Sequence, residues 1–152
     1  MRLGLASDHR GFTLKEQIKE TLKDEHEEIE IIDYGTDNDE STDYPDYAFK
    51  LGEAVANNKV DFGVAICGTG IGISIACNKV KGVRCAKVDS KEDALATRID
   101  NDSNIIAFGE KTPIDKAVGM INIFINTPCS TADKHVRRRN KIKQYEENNY
   151  DR

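Results

Sequence analysis

The sequence lacks any apolar run as long as a membrane span, so none of its 152 residues is predicted to cross a bilayer. The amino terminus has no signal-peptide pattern, which predicts a cytoplasmic location. The formal net charge is -5 and no long basic face dominates, which argues against a general nucleic-acid-binding protein. The expected partners therefore include neither a membrane nor a nucleic acid.

Metal-binding and disulfide patterns are also missing. The four cysteines form no C-x-x-C pair, and the three histidines are scattered along the chain. Neither a zinc site nor a disulfide framework is therefore expected. Cys77 and Cys85 are predicted to pack as small apolar residues.

Short apolar runs alternate with amphipathic stretches of helical spacing along the chain. Predicted strands cover 3–6, 29–33, 62–66, 82–88 and 104–108, and predicted helices cover 12–24, 47–57, 70–79, 90–99, 113–125 and 130–147. This alternation predicts a parallel sheet covered on both faces, with ligands bound outside the carboxyl ends of its strands. No linker or repeat interrupts it, so 1–152 is predicted as a single domain with a frayed tail over 143–152.

The stretch Cys67-Gly68-Thr69-Gly70-Ile71-Gly72 follows an apolar strand and opens a predicted helix. Glycines let the backbone approach a ligand closely, and free N–H groups at a helix start favour negative charge. The stretch therefore predicts a cradle for a phosphate or for an enediolate formed during a reaction. Ile73 interrupts the dinucleotide fingerprint, and no Walker A lysine follows. The alternative is a tight turn without a ligand.

Cys67 stands at the strand end beside these N–H groups, a position that stabilises a thiolate. A thiolate there is suited to remove a proton from a carbon next to a carbonyl, because the developing oxyanion would meet preorganised donors. We therefore predict that Cys67 is a catalytic base.

Several motifs resemble type B ribose-5-phosphate isomerases, in the family shared with galactose-6-phosphate and allose-6-phosphate isomerases. They follow the family order and cover nearly the whole chain, up to about Ile142. The matching pieces are Ser7-Asp8-His9, Gly35-Thr36, Thr42-Asp43-Tyr44-Pro45, 66–76, Asn78-Lys79-Val80, Gly82-Val83-Arg84 and Asn101-Asp102-Ser103-Asn104.

The resemblance implies a three-layer α/β/α Rossmann-like fold, with five parallel strands in the order 2-1-3-5-4 and a C-terminal helix. It implies an aldose–ketose isomerase that interconverts ribose 5-phosphate and ribulose 5-phosphate through a cis-enediol intermediate in the pentose phosphate pathway. It further implies no metal and no cofactor, and a homodimer or tetramer whose active site is shared between subunits.

The resemblance also assigns roles to residues. Cys67 matches the family's catalytic base, and Ile73 stands where some relatives use a glutamate instead. Thr69 matches a hydroxyl that relays protons. The expected substrate-binding residues are Asp8, His9, Asp43, Tyr44, Gly68, Gly70, Ile71, Gly72, Asn101, Lys111, Lys134 and Arg138.

The chain departs from the family pattern at two places. Asp100 replaces the histidine that is thought to open the sugar ring, and a carboxylate is a poor acid at neutral pH. Asp100 is therefore either a ring-opening residue with altered chemistry or the cap of a turn. At the phosphate end, Lys134 and Arg138 replace two arginines, and Lys111 replaces a third. The neighbouring Arg137 and Arg139 are expected on a solvated helix face.

Alternatives remain open from the sequence. Asp100 keeps a six-carbon substrate such as allose 6-phosphate or galactose 6-phosphate in consideration. A non-catalytic module that binds a phosphate ligand on the same sheet belongs to another functional class. A receiver-like domain would need an aspartate where Cys67 stands.

Overall fold

The computed structural model describes residues 1–150 and contains, within them, five strands and six helices. The strands are β1 (Arg2–Ser7), β2 (Glu30–Asp33), β3 (Phe62–Cys67), β4 (Cys85–Lys87) and β5 (Ile105–Gly109). The helices are α1 (Phe12–Glu25), α2 (Tyr44–Ala56), α3 (Ile71–Cys77), α4 (Lys91–Asn101), α5 (Ile114–Asn126) and α6 (Asp133–Asn149). All strand pairs are parallel and the order is β2-β1-β3-β5-β4, which confirms the predicted topology.

Alternate residues of the central strands face opposite helical layers. In β3, Val64 and Ile66 pack into the core formed with α1, α4 and α5, whereas Ala65 and Cys67 pack into the core formed with α2 and α3. Successive side chains of a strand point to opposite faces of the sheet, so both faces of a covered parallel sheet read as apolar. Cys67 consequently lies on the α2–α3 face, at the carboxyl end of the middle strand.

The start of α2 and the length of β4 differ from the sequence prediction. Helix α2 begins at Tyr44 rather than at 47, because Pro45 occupies the first turn, where a missing N–H leaves no intrahelical bond unmade. Strand β4 is shorter than the predicted 82–88. Gly82 has a φ of 91°, outside the extended region, and the Arg84 N–H donates to the side chain of Asn104.

Helix α6 continues to Asn149, so the predicted frayed tail from 143 is wrong for the residues that the structure describes. Two contacts hold its end: the Glu146 carboxylate accepts from the Gly82 N–H, and the Tyr150 hydroxyl donates to the Asn78 carbonyl at 3.4 Å. The remainder of the predicted tail, 151–152, lies outside the described residues. No helix within residues 1–150 has the length and apolar character needed to cross a membrane.

The buried Lys15 anchors α1 to the end of β2 and to the turn that follows it. Lys15 is fully buried, and its Nζ donates to the two carboxylate oxygens of Asp33 at 2.7 and 2.6 Å and to the Thr36 carbonyl at 2.7 Å. The Thr36 N–H in turn donates to the Ser7 carbonyl at 2.7 Å. This network therefore holds the turn at Thr36 against the end of β1, next to Asp8.

Acid is expected to destabilise the fold through Asp33. Burial raises the pKa of Asp33, but hydrogen bonds from Lys15, Lys19 and the Gly35 amide together hold it below its ordinary value. A carboxyl with a lowered pKa in the folded state stabilises the fold above its unfolded pKa, and this contribution disappears as the pH falls through the folded value. We expect the free energy of unfolding, measured by urea titration, to decline from about pH 5 downward.

The variant Asp33→Asn tests this assignment, with Glu20→Gln on the exposed face of α1 as a control for losing one carboxylate. Asp33→Asn is expected to be less stable than wild type at neutral pH, because Lys15 stays buried without its charged partner. It is also expected to show a shallower decline with acid. An unchanged slope in Asp33→Asn would mean that the acid sensitivity comes from other groups.

Candidate active site

A cleft of about 600 Å³ opens at the carboxyl ends of β1 and β3. The chain leaves β1 toward β2 on one side of the sheet and leaves β3 toward β4 and β5 on the other. Such a switch point is where open parallel sheets bind ligands. The predicted site residues that line the cleft are Asp8, His9, Asp43, Tyr44, Cys67, Gly68, Thr69 and Gly72.

Cys67 is only 4% exposed, yet it forms part of the cleft wall. Its Sγ accepts a hydrogen bond from the Gly70 N–H at 3.2 Å. Gly70 adopts this position with a φ of 81°, in the left-handed region that favours glycine. A backbone N–H that donates to sulfur stabilises a thiolate more than a thiol. The geometry therefore places a sulfur suited to accept a proton at the edge of the cleft.

Thr69 lies beside this sulfur in the turn between β3 and α3. Its Oγ1 accepts from the Ile71 N–H at 3.1 Å, and the residue is exposed. Because that bond uses the hydroxyl as an acceptor, the hydroxyl hydrogen remains available for donation to a ligand. Thr69 can thus both donate and accept, as a proton relay requires.

The predicted cradle over Gly68–Gly72 is smaller in the structure than in the sequence prediction. The N–H groups of Gly70 and Ile71 are already bound by the side chains of Cys67 and Thr69. Gly70 and Ile71 do not line the cleft. They shape the turn, but they do not form part of the cleft wall. Within residues 1–150, no protein group accepts from the N–H groups of Gly68, Thr69 and Gly72, which leaves these three for a ligand.

Asp8 and His9 follow β1 and form the opposite wall. One Asp8 oxygen, Oδ1, accepts from the N–H groups of Arg10 and Gly11 at 3.0 and 3.1 Å, which fixes the turn into α1. The His9 Nδ1 accepts from the Thr42 N–H at 3.1 Å. A ring nitrogen that accepts carries no proton, so the Nε2 of a neutral His9 carries the hydrogen and is a donor.

Asp43 and Tyr44 line the cleft from the start of α2. The Tyr44 ring lies against the backbone of Gly72: a Cβ added to Gly72 would stand 2.8 Å from the Tyr44 Cζ. Asp43 precedes the helix in an extended conformation, and its side chain makes no capping bond. The absence of a side chain at Gly72 is therefore what lets the phenol close one side of the cleft.

Arg10 also lines the cleft, and the sequence prediction did not include it. Its Nε donates to the Glu110 Oε2 at 2.8 Å, and its guanidinium lies over Gly68, where an added Cβ would stand 2.8 Å from Cζ. No spacing rule marks this residue. The one available signal is its place directly after Asp8-His9, at the carboxyl end of a strand.

Five predicted residues lie outside the cleft of their own chain: Asp100, Asn101, Lys111, Lys134 and Arg138. The side chain of Asp100 lies near α6, with its Oδ1 3.5 Å from the His135 Nε2. The Asn101 Oδ1 accepts from the Thr97 hydroxyl at 3.2 Å. None of these five residues therefore forms part of the wall of the Cys67 cleft within one chain.

Two smaller predictions concern α6 and the other cysteines. Arg139 is not merely solvated, because its guanidinium donates to the carbonyls of Ser130 and Asp100 at 2.7 and 3.3 Å. Cys77 is fully buried, as predicted, and Cys85 is partly buried against the same core. A hydrogen bond with Cys77, and then burial, raise the pKa of the Cys85 thiol, which keeps it protonated. Residues 1–150 contain no cluster of three or more His, Cys, Asp or Glu placed to hold a metal ion.

Comparison with known proteins accounts for this arrangement. A sequence model of the family described as Ribose/Galactose Isomerase matches residues 3–142. The chain belongs to this family. Ribose-5-phosphate isomerase B of Escherichia coli is 44% identical over 110 residues, which cover 72% of this chain and 72% of the relative. The predicted class of enzyme, a sugar-phosphate isomerase, is thus confirmed.

Solved structures of the family share the fold. Ribose-5-phosphate isomerase B of Clostridium thermocellum is 40% identical, with a TM-score of 0.91 over 97% of this chain and 99% of that one. Ribose-5-phosphate isomerase B of Mycoplasma genitalium, solved with bound ribulose-5-phosphate, is 35% identical. Its TM-score is 0.88, over 96% of each chain.

Proposed function

We propose that this chain interconverts ribose 5-phosphate and ribulose 5-phosphate. The observation that carries the proposal is the position of the Cys67 sulfur. It accepts a hydrogen bond from the Gly70 N–H at 3.2 Å, and it borders the same cleft as the open N–H groups of Gly68 and Gly72. Membership of the family and a relative solved with ribulose-5-phosphate support this substrate pair.

The reaction moves one proton between adjacent carbons of the open-chain sugar. The Cys67 thiolate takes the proton from C2 of the aldose, and the electron pair of that C–H bond forms the C1–C2 double bond of an enediolate. The oxyanion at O1 meets the open N–H groups of the turn, and Thr69 relays the O2 proton to O1. The Cys67 thiol then returns its proton to C1 while O2 becomes the carbonyl of the ketose.

The opposite wall orients the substrate. The Asp8 Oδ2, Asp43 and the Tyr44 hydroxyl supply partners for the sugar hydroxyls, and the Nε2–H of His9 supplies a donor for the phosphate. Binding at several points holds C2 of the sugar next to the Cys67 sulfur. This fixed orientation lowers the barrier to proton transfer.

A second subunit completes the proposed site. Asp100, Asn101, Lys111, Lys134 and Arg138 stand outside the cleft of their own chain, although the family pattern assigns them to the site. Helix α6, which carries Lys134 and Arg138, has no buried residue, and Ile71 and Ile75 on α3 are 54% and 57% exposed. Apolar side chains left in water and a helix without buried residues are typical of an interface. A homodimer, alone or within a tetramer, brings these residues to the cleft of the partner.

A coupled assay of ribose 5-phosphate turnover tests the proposal, run beside allose 6-phosphate and galactose 6-phosphate at the same concentrations. We expect kcat/KM for ribose 5-phosphate to exceed that for either hexose phosphate by at least about tenfold, because the cleft would have to accept one further carbon. A preference for a hexose phosphate would assign the six-carbon alternative. Binding of all three without turnover would assign a non-catalytic sugar-phosphate module.

A further inference from the structure

We propose that Arg10 binds the phosphate group of the substrate in the cleft, a role that the residue pattern does not assign to it. This inference rests on the proposed function, since it takes a sugar phosphate as the ligand. Arg10 lies between two parts of the site already described, directly after His9 in the chain and against Gly68 in space.

The charges of the cleft require a cation. Asp8, Asp43 and Asp46 line it, and Arg10 is the one lysine or arginine among the lining residues that the structure describes. A sugar phosphate is a dianion near neutral pH, and three carboxylates close to it would repel it in a partly dehydrated cleft. A guanidinium keeps its full charge throughout the working pH range, so Arg10 offsets this repulsion whether or not other cations arrive from a second subunit.

The geometry leaves the two terminal nitrogens of the Arg10 guanidinium, Nη1 and Nη2, free to bind a ligand. Its Nε is bound to the Glu110 Oε2 at 2.8 Å, while the structure gives Nη1 and Nη2 no acceptor among residues 1–150. The Glu110 N–H in turn donates to the Cys67 carbonyl at 2.9 Å, so the backbone of the residue that holds Arg10 is fixed to the end of β3. Glu110 also adds a negative charge near the cleft, so Arg10 is the cation nearest to this carboxylate as well.

Gly68 makes this placement possible. A Cβ at position 68 would stand 2.8 Å from both Cζ and Nη1 of Arg10, so only a residue without a side chain lets the guanidinium lie flat over the turn. The two free Nη groups then share the cleft with the Nε2–H of His9 and with the open N–H of Gly68. A planar fork with two donors matches two oxygens of a phosphate.

The test measures dissociation constants for inorganic phosphate by calorimetry in wild type, Arg10→Gln and Arg10→Lys. Arg2→Gln is the matched control: Arg2 also pairs with a carboxylate, that of Asp61 at 3.4 Å, but it begins β1, at the opposite end of the sheet. We expect Arg10→Gln to bind phosphate about tenfold more weakly, Arg10→Lys to recover part of the loss, and Arg2→Gln to match wild type. The KM for ribose 5-phosphate should rise with the phosphate dissociation constant while kcat changes by less than about threefold.

The two proposals fail in different ways. If wild type binds phosphate but does not isomerise ribose 5-phosphate, the proposed function fails, while a tenfold weaker phosphate complex in Arg10→Gln still supports the role of Arg10. If Arg10→Gln binds phosphate as tightly as wild type, or if wild type does not bind phosphate at all, the role of Arg10 is overturned even when turnover is normal. A fall in kcat at unchanged KM would also contradict it.

Discussion

Replacing Cys67 with alanine is expected to lower kcat for ribose 5-phosphate by about 10²- to 10⁴-fold, the range that positioned proton transfer contributes. Alanine leaves the Gly70 N–H and the Thr69 hydroxyl in place but removes the atom proposed to take the proton. The KM should change little, because the proposed phosphate and sugar partners are on other residues. Initial rates in the coupled assay measure both parameters.

The control for this prediction is Cys129→Ala, which removes a partly buried thiol from the connection between α5 and α6, outside the cleft. It should retain wild-type kcat. Circular dichroism and urea midpoints should show Cys67→Ala folded, since the loss of one sulfur from the core costs about 1 kcal/mol. A folded Cys67→Ala enzyme with kcat within threefold of wild type would remove the proposed base.

Substituting Gly70 with alanine is expected to destabilise the protein by about 2–5 kcal/mol. Two effects combine. The φ of 81° disfavours any residue with a Cβ, and that Cβ would stand 2.7 Å from the Cα and C atoms of Phe108 in β5. The contact is with the backbone of β5, a strand paired on both sides, so the chain cannot relieve it by a side-chain rotation. Urea unfolding with a constant slope measures the loss.

Gly82→Ala separates the two effects. Gly82 has a similar φ of 91°, but a Cβ there would meet only Ala56, at 3.5 Å, an ordinary contact distance. Gly82→Ala should therefore lose only the cost of the left-handed conformation, about 1–2 kcal/mol. Equal destabilisation of the two variants would show that the contact with Phe108 is relieved by relaxation.

The variants Gly70→Ala and Gly82→Ala also test whether the backbone position of residue 70 affects kcat. Any shift of residue 70 away from Phe108 moves the N–H that binds the Cys67 sulfur, so Gly70→Ala is expected to lose kcat in excess of its folded fraction. Gly82→Ala, whose site lies next to α6, is expected to keep the wild-type rate per folded molecule.

The sheet was predictable because its signal is local. The apolar runs that became β1, β3 and β5 are buried on both faces, so their sequences carry no polar interruption. The start of α2 was missed because Asp43 and Pro45 are as common in loops as at a helix start, and only packing decides between the two. The end of α6 was predicted to fray from 143 because a polar helix without buried residues gives no periodic signal.

The residues of the candidate site also fall into those that the sequence could predict and those that it could not. Cys67, Thr69 and Gly72 were predictable because one turn carries them all, and a strand followed by glycines fixes where that turn lies. Arg10 was not, because its place over Gly68 depends on a side-chain direction and on a pair with Glu110, a hundred positions away in the chain. In the proposed dimer, the positions of Asp100 and Arg138 relative to a cleft depend on how two chains meet, which the sequence of one chain does not specify.

Transfer of the proton by sulfur can be followed directly by magnetic resonance in heavy water. A thiol that has taken the C2 proton exchanges it with solvent, so wild type should place deuterium at C2 of recovered ribose 5-phosphate and at C1 of ribulose 5-phosphate. Cys67→Ala should place deuterium at these carbons at least about 10²-fold more slowly than wild type, in step with its kcat, although it still binds the sugar. Deuterium entering at the wild-type rate in Cys67→Ala would show that another group removes the proton.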